Sequence, residues 1–358
     1  MGGAPGPADG NIKQSTPCLG KRPVATTMYN AKVKGTGSYT PDAILTNQDL
    51  EKVVDTSDAW ITRRTGIKER RIATNGLRTS GMAARAARQA LEAAELKAED
   101  LDLVVVGTVT PDRQFPSCAC LLQEKIGAKN AASMDVSAGC SGFIYALSVA
   151  NNAIRCGEAS HALVVGAEVL SSVTNWSDRG TCVLLGDGAG AVVLSRTSDD
   201  TGIRSIHLRS DGSFGNLLYS VDHPDQRRGL DILPEANHLK PYYLVMDGKK
   251  LFKKAVECLE EITRWTLDKA GVDVSELALM VPHQANIRII NALAHRLGLA
   301  KDRVYTTIEK YGNTSSASIP MALAEAARGG RLAPCDKLLM VTFGAGLTWG
   351  ASLVEWSL

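Results

Sequence analysis

Short unbroken apolar runs recur along the chain, among them "LDLVVVGTV" (101–109), "ALVVGAE" (162–168), "LALMV" (277–281) and "KLLMV" (337–341). Each is too short for a globular helix and lacks the every-second polar residue of a half-solvated strand. Such runs predict strands buried on both faces. Between them lie Ala-rich stretches such as "TSGMAARAARQALEAAEL" (79–96), where Met82, Ala86, Leu91 and Ala94 fall near helical spacing. Strand-like runs alternating with helical ones predict a layered α/β protein, its helices packed between or outside sheets.

The pattern also echoes itself. "LDLVVVGTV" pairs with "LALMVPHQA" (277–285), "ALVVGAE" with "KLLMVTFGAG" (337–346), and "GCSGFIYAL" (139–147) with "GNTSSASIPMAL" (312–323). All three pairs are offset by roughly 173 to 176 residues, which points to duplication of one α/β unit. The expected divisions are a disordered N-terminal extension over 1–27, one half over 28–198 and a second over 199–358. The extension is rich in Gly, Pro, Ala and Thr and has no apolar core of a secretory signal. The segment 221–245 has no interpretable periodicity.

Composition narrows the function classes. A formal net charge of +2 over 358 residues carries no nucleic-acid footprint, and no run approaches the length of a membrane span. Eight irregularly spaced cysteines in a chain this long do not read as a secreted disulfide framework, so reduced thiols and a cytoplasmic setting are expected. Cys118 and Cys120 form a C-x-C without a second half, which favours core packing over a metal site. Two basic clusters, "RRTGIKERR" (63–71) after Trp60 and "GKKLFKKAV" (248–256), are either solvated faces or sites for phosphate and acidic partners. The second is expected to open a helix with Leu251, Phe252, Ala255 and Val256 on its inner side.

Candidate chemistry centres on "DVSAGCSGF" (135–143). Most cysteines are buried small hydrophobes. Cys140, however, sits between glycines that permit a tight strand-to-helix turn and close approach of a substrate. It also opens a helix, whose positive dipole end favours a thiolate able to attack a thioester. His283 in "VPHQAN" follows the run "LALMV", at the strand end where open α/β sheets place ligands. A histidine there is often only structural. Asn313 in "YGNTSSAS" reads equally as a helix cap. The internal symmetry makes Cys140 and Asn313 pseudo-equivalent and brings both towards the centre between the halves. "GDGAGAVVL" (186–194) enters a strand rather than a helix, so a dinucleotide site is not expected. The loop Gly344-Ala345-Gly346 suits an oxyanion hole instead.

Together, "GTGSY", "DTSDAWITRRTGI", "FPSCACLLQ", "AGCSGFIYALS", "DRGT", "LGDGAGAVVL", "VPHQANIRII", "YGNTSSAS" and "FGAGLTWG" resemble the β-ketoacyl-acyl-carrier-protein synthase III branch of the thiolase-like condensing enzymes, from about Met28 to Leu358. The resemblance implies a five-layered αβαβα fold of two duplicated halves and a homodimer. It implies that Cys140 takes an acyl group from an acyl-CoA, most simply acetyl-CoA, and that His283 and Asn313 stabilise the enolate formed when malonyl-acyl carrier protein loses CO2. The backbone N–H groups of Cys140 and Ala345 would form the oxyanion hole. CoA contacts are implied for Trp60, Arg64, Arg179, Phe252 and Ala285, an acyl pocket for Phe115, Met246 and Phe343, and carrier-protein docking for Lys253, Arg288 and Arg296. Phe115 would line the neighbouring subunit's pocket. No cofactor or metal beyond the CoA thioester is implied, and no membrane or nucleic-acid partner.

Chain-elongating synthases use Cys-His-His, and chalcone-type synthases usually carry a Gly-Phe-Gly-Pro-Gly loop where this chain has "TFGAGLTWG". Degradative thiolases use a second cysteine near the C-terminus, for which Cys335 is badly placed. The pattern departs from the family at Lys249 and Lys250 and in the long segment before Met246. Three readings stay open: initiation of fatty-acid synthesis, a secondary-metabolism relative using another acyl-CoA, and a non-catalytic acyl-CoA or carrier-protein binding partner.

Overall fold

The computed structural model describes residues 1–3, 29–220 and 243–358. The expected disordered extension thus lies, past its first three residues, outside the described residues, as does most of the segment 221–245. From Asn30 the chain runs through β1 (Asn30–Tyr39), β2 (Ala43–Thr46), α1 (Asn47–Leu50), α2 (Asp58–Thr65) and β3 (Glu69–Ile72) to α3 (Thr79–Ala93). There follow β4 (Leu103–Gly107), α4 (Cys118–Ile126), β5 (Ala132–Val136), α5 (Gly142–Arg155), β6 (His161–Val169) and β7 (Asp187–Thr197). Beyond these come β8 (Gly202–Ser210), β9 (Leu218–Ser220), β10 (Leu244–Met246), α6 (Gly248–Ala270), β11 (Leu277–Pro282) and α7 (Ile287–Leu297). The chain closes with α8 (Ile308–Tyr311), α9 (Ser318–Arg328), β12 (Lys337–Gly344) and β13 (Thr348–Glu355).

Two principal sheets form, ordered β1-β7-β6-β4-β5 and β8-β13-β12-β11. Their pairings match in direction. β1–β7 and β8–β13 are antiparallel, β7–β6 and β13–β12 antiparallel, and β6–β4 and β12–β11 parallel. Where the first sheet has parallel β5, the second has a single parallel bridge between Met280 and Val304. The duplication read from the apolar runs is therefore a duplication of sheet topology.

Side chains on β4 show how the layers arise. Successive residues of a strand point to opposite faces. Leu103 and Val105 join a core with Phe143, Leu147 and Ile154 of α5, Ile319 and Leu323 of α9, and Leu338 and Met340 of the other sheet. Val104 and Val106 pack the other way, with Met82, Ala86 and Ala90 of α3 and Leu122 of α4. On the far side of the second sheet, Leu259 and Ile262 of α6 and Leu293 and Leu297 of α7 meet Leu339 and Val341. The result is five layers, αβαβα, with α5 and α9 buried between the sheets. In α6, Leu251, Ala255 and Val256 are buried as expected, while Phe252 is only half-buried. Among the described residues no helix is long and apolar enough to cross a membrane.

Candidate active site

Cys140 lies on the turn between β5 and α5, one residue after Gly139, whose φ of +55° is in the left-handed region. Against this turn runs the β12–β13 hairpin. A Cβ added to Gly139 would sit 2.6 Å from the Ala345 nitrogen, and one added to Gly344 would sit 2.5 Å from the Cys140 nitrogen. Only glycine at both places lets the two backbones meet. Side chains then staple them: Thr342 Oγ1 donates to the Cys140 carbonyl at 3.1 Å, Ser141 Oγ to the Thr348 carbonyl at 3.1 Å, and Thr348 Oγ1 to the Ala138 carbonyl at 2.8 Å.

The same strand places His283. Its N–H donates to the Val341 carbonyl at 2.8 Å, one residue before the Thr342 that holds Cys140. The ring is 6 % exposed, and its Nδ1 lies 2.7 Å from Ser318 Oγ at the start of α9. Ser318 Oγ also accepts from the Gln284 N–H at 3.3 Å. Where the Ser318 hydroxyl donates to Nδ1, the imidazole proton is on Nε2, the tautomer that presents an N–H donor to the site. Gln284 is fixed in turn, its amide donating to the Pro282 carbonyl at 2.7 Å and accepting from the Thr307 N–H at 2.9 Å.

Asn313 bridges the halves. Its N–H donates to the Leu184 carbonyl at 2.8 Å, and its carbonyl accepts from the Gly186 N–H at 3.0 Å. Its side-chain Oδ1 accepts from the Ser315 N–H at 2.8 Å. Asn313 is not a helix cap, since Thr314 and Ala317 hold the cap positions of the two helical segments that follow; its oxygen closes a local turn and leaves the amide NH2 as the donor. The helix openings are not in register as the repeat implied. Cys140 nearly abuts α5, whereas the short helical turn Ser315–Ala317 separates Asn313 from α9.

Behind this loop lies Glu168, fully buried on β6. Its carboxylate accepts from Ser316 Oγ at 2.8 Å, Thr110 Oγ1 at 2.6 Å, Thr108 Oγ1 at 3.1 Å and the Val109 and Thr110 N–H groups at 3.1 Å. Burial pushes Glu168 above the ordinary carboxylate range, against these donors. Glu168, Ser318, Ser315 and Thr342 escaped the sequence reading. The serines stood inside a motif read only for its asparagine, and Glu168 ended an apolar run read only as a strand.

The thiol departs from expectation. A helix start was to favour thiolate, yet burial pushes Cys140 up to about 11, with Ser315 acting to lower it and Glu168 to raise it further. Desolvation by both halves outweighs a dipole term that is modest and local. Burial also drives His283 down to about 3, so the imidazole is neutral at physiological pH. The site therefore holds a neutral thiol and two neutral donors in fixed orientation.

The remaining expected contacts fall into separate groups. The guanidinium groups of Arg64 and Arg179 lie 5.5 and 5.0 Å from the Trp60 ring centroid, and Arg179 Nη1 donates to the Asp55 carbonyl at 2.8 Å. Arg288 lies 5.3 Å from the Phe252 ring centroid, close in sequence to half-buried Ala285. Met246 and Phe343 share one apolar cluster with Leu347 and Trp349. Phe115 does not join them and is 79 % exposed. Lys253 and Arg288 are exposed, whereas Arg296 is held by Glu260 at 2.9 Å.

Residues 134–212 match the family model described as 3-Oxoacyl-[acyl-carrier-protein (ACP)] synthase III, and residues 267–356 match its C-terminal counterpart. A β-ketoacyl-[acyl-carrier-protein] synthase III from Caldanaerobacter subterraneus subsp. tengcongensis is 49 % identical, covering 91 % of this chain and 98 % of that one. The crystal structure of 3-oxoacyl-[acyl-carrier-protein] synthase III from Aquifex aeolicus is 49 % identical with a TM-score of 0.84, covering 91 % of this chain and all of that one. The priming β-ketosynthase of the R1128 polyketide biosynthetic pathway is 36 % identical with a TM-score of 0.88, covering 95 % of this chain and 99 % of that one.

Proposed function

Because this chain belongs to the β-ketoacyl-[acyl-carrier-protein] synthase III family, we propose that Cys140, His283 and Asn313 carry out its decarboxylative condensation, with acetyl-CoA as starter. The chain is an acyltransferase of fatty-acid biosynthesis. Cys140 Sγ attacks the acyl carbonyl of an acyl-CoA, the carbon–sulfur bond to CoA breaks, and CoA leaves with the thiol proton. Malonyl-carrier protein then loses CO2, and the electron pair of the broken bond passes to an enolate. The enolate carbon attacks the acyl-cysteine and regenerates the thiolate, which takes up a proton. The product is a β-ketoacyl-carrier protein. The overall change is neither oxidation nor reduction, so the steps call for no redox cofactor, and every bond made or broken belongs to the thioesters and Cys140.

One observation carries this reading: both candidate donors are neutral and fixed. Ser318 occupies His283 Nδ1, and Ser315 N–H occupies Asn313 Oδ1. What remains for a substrate is the Nε2 side of the imidazole and the NH2 of the amide, an arrangement that stabilises an enolate oxygen without itself being a strong acid. The backbone contact between Cys140 and the 344–345 turn supports the oxyanion role of their N–H groups. In the same reading the halves over 28–198 and 199–358 enclose this site, and the free cysteines of the described residues suit a cytoplasmic setting.

A homodimer belongs to the same proposal. β5 lies at the end of its sheet, pairs with β4 on one side, and exposes 41 % of Met134. Pairing β5 with its copy would cover that edge and carry Phe115 towards the partner's acyl pocket. Trp60, Arg64 and Arg179 suit a nucleotide with its phosphates, with Phe252 and Ala285 further along the entry. Lys253 and Arg288 suit an acidic carrier protein, and Arg296 contributes only if Glu260 releases it. A second reading, a secondary-metabolism relative using another acyl-CoA, draws on one finding, the likeness over 95 % of the chain to a priming β-ketosynthase of a polyketide pathway.

Intact-protein mass spectrometry after mixing with a panel of acyl-CoAs tests the reading. An adduct of one acyl group, absent in Cys140→Ala, is expected and names the starter. No adduct from any acyl-CoA refutes the condensing role.

A further inference from the structure

The basic cluster over 63–71 divides on folding. Arg63, Arg64 and Lys68 are exposed, whereas Arg70 on β3 is 0 % exposed. Its guanidinium has three acceptors, all neutral. Nη2 donates to the Val183 carbonyl at 2.7 Å, and Nη1 donates to Asn47 Oδ1 at 2.9 Å and to the Leu45 carbonyl at 3.2 Å. Its Nε finds no partner among the described residues. Asn47 is locked in turn, its amide donating to Asp58 Oδ1 and to the Ile67 carbonyl, each at 2.8 Å. A desolvated cation held by neutral acceptors is costly, and an apolar side chain of similar volume would pack more cheaply. Burial lowers Arg70 to about 10, so it stays charged at physiological pH.

What the guanidinium grips is the segment on which Asn313 rests. Val183 precedes Leu184, whose carbonyl accepts from the Asn313 N–H at 2.8 Å, and the Gly186 N–H donates back to the Asn313 carbonyl at 3.0 Å. The Arg70 stem lies against glycines on both sides of this bridge. A Cβ added to Gly186 would sit 3.1 Å from Arg70 Cβ, and one added to Gly312 would sit 3.4 Å from it. None of these contacts reaches Cys140 or His283. A planar fork fixes two segments at once, where an ammonium acts as a single point. We propose that Arg70 is a positioning residue for decarboxylation: by holding the Val183–Gly186 segment it sets the place and direction of the Asn313 amide. The inference rests on Asn313 being a donor to the enolate, so its test includes a readout independent of turnover.

The experiment places Arg70→Met and Arg70→Lys in the full chain, each alone and together with Asn313→Ala. Two half-reactions are followed: release of labelled CO2 from malonyl-carrier protein, and acyl transfer to Cys140 from acyl-CoA. Met removes fork and charge; Lys keeps the charge, spares the fold and lacks the fork. In both single variants CO2 release is expected to fall about tenfold, less than the loss of a donor outright, with acyl transfer unchanged. With Asn313→Ala already present, neither is expected to lower CO2 release further, because the residue through which Arg70 acts is gone. An equal fall in both half-reactions overturns the proposal, as does wild-type CO2 release in either single variant, or the same tenfold fall without the Asn313 amide. Amide hydrogen exchange over 183–187 and 312–315 supplies the independent readout. It is expected to quicken about tenfold in both Arg70 variants, and unchanged exchange overturns the proposal. Quickened exchange in a protein whose Asn313→Ala variant decarboxylates normally sustains the grip of Arg70 on Asn313 while refuting the enolate role of that amide.

Discussion

Ser318→Ala removes the partner of His283 Nδ1 while leaving the imidazole in place. The hydroxyl is 2.7 Å from Nδ1, and Ser318 is 2 % exposed, so water does not readily substitute for it. Leaving a buried polar atom unpaired costs about 1–3 kcal/mol of stability, visible as a lower midpoint in chemical denaturation. The effect on chemistry has a different origin. Without the hydroxyl the imidazole proton is no longer confined to Nε2, and the ring is freer to rotate. Complete loss of one preorganised donor costs about 10²–10³ in rate. A donor that is present but wrongly protonated or turned for part of the time costs less, about tenfold. The assay separates the half-reactions: release of labelled CO2 from malonyl-carrier protein, and acyl transfer to Cys140 from acyl-CoA. The first is expected to fall about tenfold and the second to change little, with Ser318→Thr restoring the first. Nitrogen NMR of the imidazole supplies the direct readout, because the two tautomers differ at Nδ1. Wild-type decarboxylation in Ser318→Ala with an unaltered imidazole spectrum would refute the tautomer argument.

Two further predictions test the burial of the site. His283 has its folded value depressed to about 3 from an ordinary 6.5, so the stability it contributes is complete above pH 6.5 and is lost as pH falls towards 3; between pH 7 and pH 5 the loss is about 2 kcal/mol, and denaturation of His283→Asn at both pH values is expected to show a correspondingly smaller acid loss than wild type. Gly166→Ala would place a Cβ 2.2 Å from the Ser316 carbonyl oxygen and 2.7 Å from its carbon, backbone atoms that cannot swing aside, so a cost of about 1–3 kcal/mol and loss of condensation through a displaced Asn313–Ser318 segment are expected together in thermal melts and turnover.

What the sequence discloses depends on how far a property reaches. The strand β4 was legible because all five of its residues are buried, and a run apolar on both faces has few other uses. His283 was legible because it follows such a strand directly, and Cys140 because glycines bracket it. The direction of the Cys140 thiol was not. A helix start is visible in a few adjacent letters, but desolvation and the charge of Glu168 come from parts of the chain distant in sequence. The partners of His283 and Asn313 were hidden for the same reason. A serine in "NTSSAS" names no acceptor until α9 has been laid against β11.

Duplication explains where the site lies, and departure from duplication explains what it can do. Both halves present a helix opening to the central layer, so α5 and α9 bring their first turns near one seam. Had the two openings been alike, each would offer the same small polar turn and neither a complementary pair. The second opening instead inserts Ser315–Ala317 before α9, and the left-handed Ser315 makes that extra turn possible. The insertion sets Asn313 back from the helix, aligns its backbone with Leu184 and Gly186 of the first half, and leaves Ser318 at the helix start beneath His283. On the proposed reading, one opening thus supplies the nucleophile Cys140 and the other the donor Asn313 and the Ser318 hydroxyl that contacts His283. On that reading, desolvation of the thiol is tolerable because the negative charge formed on the substrate oxygen meets donors already in place.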